Sequence, residues 1–351
     1  MAAARDTTTL PRIAVPTGDP SGIGPEIAVM AALDPAVLVQ CRPLLVGDRA
    51  VIERAAKTLG RNIARLSIED TAALEALPEP GTVSADAGAA TIAYARAAIA
   101  LARSGSVEAV VACPHNETAV AKAGIAFDGY PGLLARETGH DPDAVFLMLV
   151  SPSHRIVHVT LHMGLRAALD AITEARIIAA AGAADAALKA VGIARPRIAA
   201  CGINPHAGEG GMFGSEDETI VRPAVAAARA EGIEIEGPLG ADVALAAGGH
   251  DAYLAMYHDQ GHIPVKLAGR GNSFGVSIGT GVLFATVAHG SAHDIAGRGS
   301  ADPAGLITAI THMGRLLRQA AADTTITPGA TSGTSSAKLS NPCKPLTTSS
   351  A

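Results

Sequence analysis

Short apolar runs recur along the chain. Each ends in a polar, glycine-rich stretch, and most are followed by a longer segment with apolar positions at helical spacing. Residues 12–16 read as a first strand, 17–26 (TGDPSGIGPE) as a glycine-rich turn, and 25–33 as a helix opened by proline. Residues 37–47 hold one or two strand-like pieces, and a helix is expected over 48–59. Residues 86–103 carry helical spacing, and 107–114 form a short apolar strand. The β-branched runs 145–150 and 155–162 read as neighbouring strands, followed by an alanine-rich helix over 166–192. The alternation continues with a strand at 196–206, a helix at 217–231, a strand at 233–236, a helix at 241–248 and a strand at 252–256. Further strands are expected near 264–267 and 274–286, and a last helix over about 301–321. This alternation predicts an α/β architecture with a largely parallel sheet.

Composition narrows the classes. A chain of 351 residues exceeds the usual span of one core, so two domains are expected. From about Ala322 onward Ser, Thr, Gly and Pro dominate, which predicts a disordered tail over 322–351. Lys plus Arg is 27 against 33 Asp plus Glu, with no basic block, and Trp is absent. Neither an electrostatic grip on nucleic acid nor a base-stacking platform is expected. No run of about 18 apolar residues exists, and the start lacks the apolar core of a secretory signal. Cys41, Cys113, Cys201 and Cys343 form no close pair and read as reduced thiols of a cytoplasmic protein, Cys113 and Cys201 as strand-end core residues.

Polar clusters sit where apolar strands stop, which is where open α/β sheets bind ligands. Three of these clusters hold a histidine: His162 after VHVTL, His206 in GINPHAGEGGMFG and His258 in AMYHDQGH. Three imidazoles at separate strand ends can meet at one divalent metal and leave positions open for substrate. No short histidine spacing supports that triad over ordinary surface histidines. His158, an even offset from His162, shares its face if both lie on a strand, so the choice between the two is not forced. The segment 289–303 (HGSAHDIAGRGSADP) offers His289, the backbone of Gly290, Ser291 and Ala292, and Asp294. It reads either as a polar loop before a helix or as an adenosine site whose Asp294 accepts from ribose hydroxyls and repels a 2′-phosphate. The N-terminal GDPSGIGPE is not GxGxxG, and no suitably placed acid ends a second strand, which argues against a classical dinucleotide fingerprint there.

In order along the chain, TGDPSGIGPEI, GINPHAGEGGMFG, GPLGADVAL, AMYHDQG and HGSAHDIAG resemble the 4-hydroxythreonine-4-phosphate dehydrogenase (PdxA) family, over about residues 12–320. The resemblance implies an isocitrate/isopropylmalate dehydrogenase-like fold of two α/β domains with a cleft between them. The first would comprise 1–128 plus 282–321 and the second 129–281. It implies a homodimer in which His162 and His206 of one subunit and His258 of the other hold a divalent metal, with zinc or iron suiting three histidines better than magnesium, and manganese a further option. It implies NAD at the 289–294 loop and Lys266 directed at the substrate, as a carboxylate contact or proton shuttle. Asp259 and Asp242 are candidate proton-transfer groups, Asp259 alternatively an orienting partner of His258.

Four departures concern the substrate. Glu117 stands where the family has a lysine, Tyr130 and Pro131 replace a His–Thr pair, Ser277 takes the place of an asparagine, and an arginine before the HGSA loop is missing. A carboxylate at an anion-binding position opposes a phosphate. ACPHNETA, RIVHVTLH, HDQGHIPVKL and HGSAHDIAGRGSAD resemble instead the branch of the family that oxidises the terephthalate dihydrodiol to protocatechuate. In that branch His115, Asn116, Glu117, Tyr130, Lys266 and Ser277 would shape the substrate pocket. The alternatives are the phosphate-ester reaction of pyridoxal phosphate synthesis and a paralogue for another hydroxy acid. A metal-dependent lyase or hydrolase without NAD, or a non-catalytic binding protein, are further classes.

Overall fold

The computed structural model describes residues 10–269, 273–287 and 289–323. Cys343 and the expected tail beyond Asp323 lie outside the described residues. The fold is mixed α/β around one sheet with the order β3-β2-β1-β4-β11-β10-β5-β6-β9-β7-β8. These strands are β1 Arg12–Pro16, β2 Arg42–Gly47, β3 Ser67–Asp70, β4 Ala109–Ala112, β5 Phe146–Val150, β6 Arg155–His158, β7 Ile198–Cys201, β8 Ile235–Leu239, β9 Ala252–Ala255, β10 Phe274–Ile278 and β11 Phe284–Thr286. Strands β3 to β11 at one end are mutually parallel, as are β6, β9, β7 and β8 at the other. Among the described residues, antiparallel pairings occur only around β10 and β5, where the two parallel blocks meet. Hydrogen bonding therefore continues across the division expected from the sequence.

The sheet is covered on both sides, and the strand residues show why. Ile13, Val15, Leu45 and Val111 pack with Ile27 and Ala31 of the helix Gly24–Ala32 and with Leu306 and Ile310 of the helix Ala304–Asp323. The intervening Ala14, Leu44, Val46 and Val110 pack on the other face with Ile92, Ala95 and Ile99 of the helix Ala85–Arg103. A period of two places alternate side chains on opposite faces, and both faces are apolar because helices lie on both. In the second block Ile177, Ala181 and Leu188 of the helix Glu174–Ala190 cover Val157, Ile198 and Leu254. Cys41, Cys113 and Cys201 are buried, as expected of core thiols. Among the described residues no helix is long and apolar enough to cross a membrane.

Several elements differ from the sequence reading. Residues 37–40 belong to the helix Pro35–Gln40, because the Asp34 side chain accepts the Ala36 N–H at 2.8 Å and Pro35 starts the turn. The expected helix 166–192 breaks into Leu165–Ala171 and Glu174–Ala190, the second capped by Thr173. Strand β6 ends at His158, so His162 sits in a loop and not on its face. The expected strand 264–267 is a correction: these residues lie in the helix His258–Gly269, which contains Pro264 and buries Val265 against Ile156, Tyr253 and Ala255. Strand β3 and the helices Glu117–Lys122 and Tyr130–Thr138 carry no element in the sequence reading.

Candidate active site

The loop 17–26 after β1 is a scaffold. Glu26, 3 % exposed, accepts the backbone N–H of Gly297 at 2.5 Å and of Gly299 at 3.0 Å. Ile23 N–H donates to Ser291 O at 2.9 Å, and Asp19 N–H to Pro114 O at 3.0 Å. A Cβ at Gly22 would meet Ser291, and one at Gly24 would meet the Thr17 carbonyl. The turn thus locks the expected adenosine loop onto β1, and its glycines serve close approach. In that loop His289, Gly290 and Asp294 are exposed, Ser291 is buried, and Ala292 holds a left-handed φ of 40°. Asp294 is thereby open to a ligand.

The next loop leaves β4. His115 meets Phe127 and Tyr130 edge-on, at ring centroid distances of 4.9 and 4.7 Å. Burial holds its imidazole below the usual histidine range, which the carboxylates of Glu117 and Asp19 oppose. Tyr130 is buried and its hydroxyl donates to Cys113 O at 3.4 Å. Asn116 caps the helix Glu117–Lys122 by accepting the Ala119 N–H. Glu117 is exposed, 4.0 Å from His115, and its charge also acts on His162. Ser277 lies buried in the middle of β10, paired with Leu147 and Phe284.

A histidine cluster forms the third part. His162 and His258 have ring centroids 5.7 Å apart and border a cavity of about 340 Å³ with Leu161, Leu165, Tyr257 and Asp259. Burial, then the neighbouring His258, holds His162 below its ordinary pKa, the neutral state a metal ligand needs. His258 bonds Asp259 at 2.6 Å through Nδ1 and stacks on His262 at 3.7 Å. His258, His262 and Lys266 follow at intervals of four on one helix, hence on one face. His262 is absent from the sequence reading of the site, and His158 enters it only beside His162. Had 264–267 read as helix, the spacing would have pointed to His262. His158 Nδ1–H donates to Leu147 O at 3.2 Å, so its Nε2 accepts from His262 Nδ1–H at 3.0 Å.

His158 is 1 % exposed, and burial pushes its pKa down to about 3. The unfolded chain protonates this group near its ordinary value, so the contribution is complete above that range and lost as pH falls toward the folded pKa. Denaturation at about pH 5 should therefore show roughly 2 kcal/mol less stability from His158 than at pH 7. His158→Leu should flatten that part of the profile. An unchanged slope in the variant would refute the assignment.

His206 stands apart from these residues. It lies in a run, His206 to Gly210, whose φ values of 44–82° are all left-handed, three of them at non-glycine residues. Such conformations persist only where the surroundings enforce them. Here fully buried Asp217 accepts the N–H groups of Ile203 at 2.7 Å and Asn204 at 2.9 Å. His206 and Asp242 line a second cavity of about 390 Å³. Among the described residues no group of three or more His, Cys, Asp or Glu side chains within this one chain is arranged to hold a metal ion. The donors are of the right kind, an adjacent imidazole pair and a third, exposed imidazole, but one chain does not bring all three together.

The glycine-rich polar loop, the His115 surround and the histidine pair after β6 and β9 thus lie on one α/β sheet, and the proteins this chain is similar to are dehydrogenases. A 1,2-dihydroxy-3,5-cyclohexadiene-1,4-dicarboxylate dehydrogenase from Comamonas sp. is 44 % identical over 305 residues, 86 % of this chain and 97 % of its own. The crystal structure of a terephthalate 1,2-cis-dihydrodiol dehydrogenase from Burkholderia xenovorans matches with a TM-score of 0.71 and 46 % identity, covering 88 % of this chain and 98 % of the other. A 4-hydroxythreonine-4-phosphate dehydrogenase from Burkholderia phymatum matches with a TM-score of 0.80 and 35 % identity, at the same coverage of 88 % and 98 %. The model of the pyridoxal phosphate biosynthetic protein PdxA family matches residues 39–313. The chain belongs to the PdxA family.

Proposed function

We propose that this protein is an NAD-dependent dehydrogenase of a non-phosphorylated cis-dihydrodiol carboxylate, the terephthalate dihydrodiol, and that oxidation is followed by loss of CO2 to give protocatechuate. The observation that carries the reading is Glu117. It places a carboxylate beside His115, at a position where the family pattern has a lysine, and its field reaches His162. A pocket with that carboxylate disfavours a phosphate ester. The aromatic surround of His115 instead fits the flat face of a six-membered ring.

In this reading residues 1–128 with 282–321 carry the nucleotide side, and 129–281 carry the metal and dimer side. Exposed Asp294 accepts the ribose hydroxyls of NAD. His162 and His206, with His258 of a second copy, would hold a divalent metal, zinc first by donor type. Such a metal would supply positive charge that eases loss of the substrate hydroxyl's proton. NAD would take up the hydride of the carbinol carbon, and Asp259 or Asp242 would accept the hydroxyl proton and pass it to solvent. The resulting ketone is β to a carboxylate. The C–CO2 bond breaks, its electron pair closes the aromatic ring, and the oxygen takes a proton. Lys266 holds the substrate carboxylate.

The test follows formation of reduced dinucleotide, with metal added, on the terephthalate dihydrodiol and on 4-hydroxythreonine-4-phosphate side by side. Turnover of the diol alone is expected. Turnover of the phosphate ester alone would return the protein to the other branch and remove the significance given to Glu117.

A further inference from the structure

One side chain ties three loops of the site together. His293 Nε2 lies 3.0 Å from Asp19 Oδ2, and His293 Nδ1 lies 3.4 Å from Asn116 Nδ2. The direction of each bond is determined. Asn116 Oδ1 accepts the Ala119 N–H at 2.8 Å, so its amide turns Nδ2 toward His293. His293 therefore accepts at Nδ1, carries its proton on Nε2 and donates to Asp19. The other oxygen of Asp19 accepts the Ser21 N–H at 2.8 Å. The series runs from the turn after β1, through the loop after β11, to the helix cap after β4. Asp19 is fully buried and the His293 side chain is 15 % exposed, so water competes little for these bonds.

We propose that His293 is a positioning residue that sets the dinucleotide loop 289–294 and the substrate loop 113–117 in one arrangement before either ligand arrives. This rests on the reading of those two loops given above. A loop already held in its binding arrangement spares the ligand the cost of ordering it. One substitution at His293 should then weaken two ligands that bind at different loops. A residue that merely touched the dinucleotide would weaken one.

The experiment uses the full chain and three proteins: wild type, His293→Phe and His293→Gln. The glutamine amide can still donate to Asp19 and accept from Asn116, whereas phenylalanine can do neither. NAD and protocatechuate are titrated separately, and amide hydrogen exchange is measured without ligand over residues 17–21 and 116–119. His293→Phe is expected to weaken both ligands about tenfold and to speed exchange in both segments about tenfold, the size of one lost buried hydrogen bond. His293→Gln is expected to stay within about threefold of wild type on every readout. Loss of NAD affinity alone, with exchange unchanged, would overturn the proposal, as would glutamine behaving like phenylalanine. Failure of wild type to bind either ligand would instead overturn the functional reading, and the exchange data would still decide the role of His293.

Discussion

Replacing His206 with alanine is expected to strip the bound divalent metal and to lower kcat/KM by about 10³-fold, since metal charge at a reacting oxygen contributes several kcal/mol. The fold should survive, because the His206 side chain is 64 % exposed, and its contacts are a 3.4 Å approach to Glu209 and an edge-on approach to Phe213. Metal content after dialysis reads the first effect, and wild-type metal in the variant would remove His206 from the site. A second experiment separates two arrangements. Within one chain His258 stands beside His162, whereas a shared site takes His258 from the other copy. If the site is shared, mixing His206→Ala with His258→Ala restores activity, because each mixed dimer assembles one complete set of histidines. Random mixing should recover about a quarter of wild-type activity. No recovery would place the working site within a single chain.

Replacing Glu26 with alanine should destabilise the protein by roughly 3 kcal/mol, although this residue is expected to touch no substrate. Its carboxylate serves two backbone donors at once, Gly297 and Gly299, from a position 3 % exposed. Removing it leaves both without their partner and frees the end of the 289–299 loop. Glu26→Gln keeps one acceptor and turns an amide N–H toward the second donor, so about half of the loss should remain. Chemical denaturation measures both variants. Full wild-type stability in Glu26→Ala would mean that water replaces the carboxylate at no cost.

The sequence made the α/β class legible because strand and helix periods differ and because most apolar strands here give way to a polar stretch. It also marked the 289–294 loop and the histidines 162, 206 and 258. Other parts depended on contacts far apart in the chain. The run 264–267 looks like a strand by its apolar Val265 and Leu267, yet it lies in a helix that seats Val265 against Ile156 and Ala255. That helix is what lines up His258, His262 and Lys266. His158 and His262 are separated by 104 positions and Asp19 and His293 by 274, so no local spacing announces either pair. Asp217 likewise reads as one acid in an acidic stretch until the left-handed run around His206 shows what it supports.

The glycine turn after β1 bears on how the molecule would answer a saturation mutagenesis screen. Side chains at Gly22 and Gly24 collide with Ser291 and with the Thr17 carbonyl, and Glu26 has no substitute that accepts twice at the same reach. The turn would score as intolerant as the histidines proposed to hold the metal, and a ranking by tolerance alone would place it among ligand-binding segments. Its intolerance is architectural. A screen that sorts variants by soluble yield before turnover would separate the two groups, sending this turn to the first filter and His162, His206 and His258 to the second.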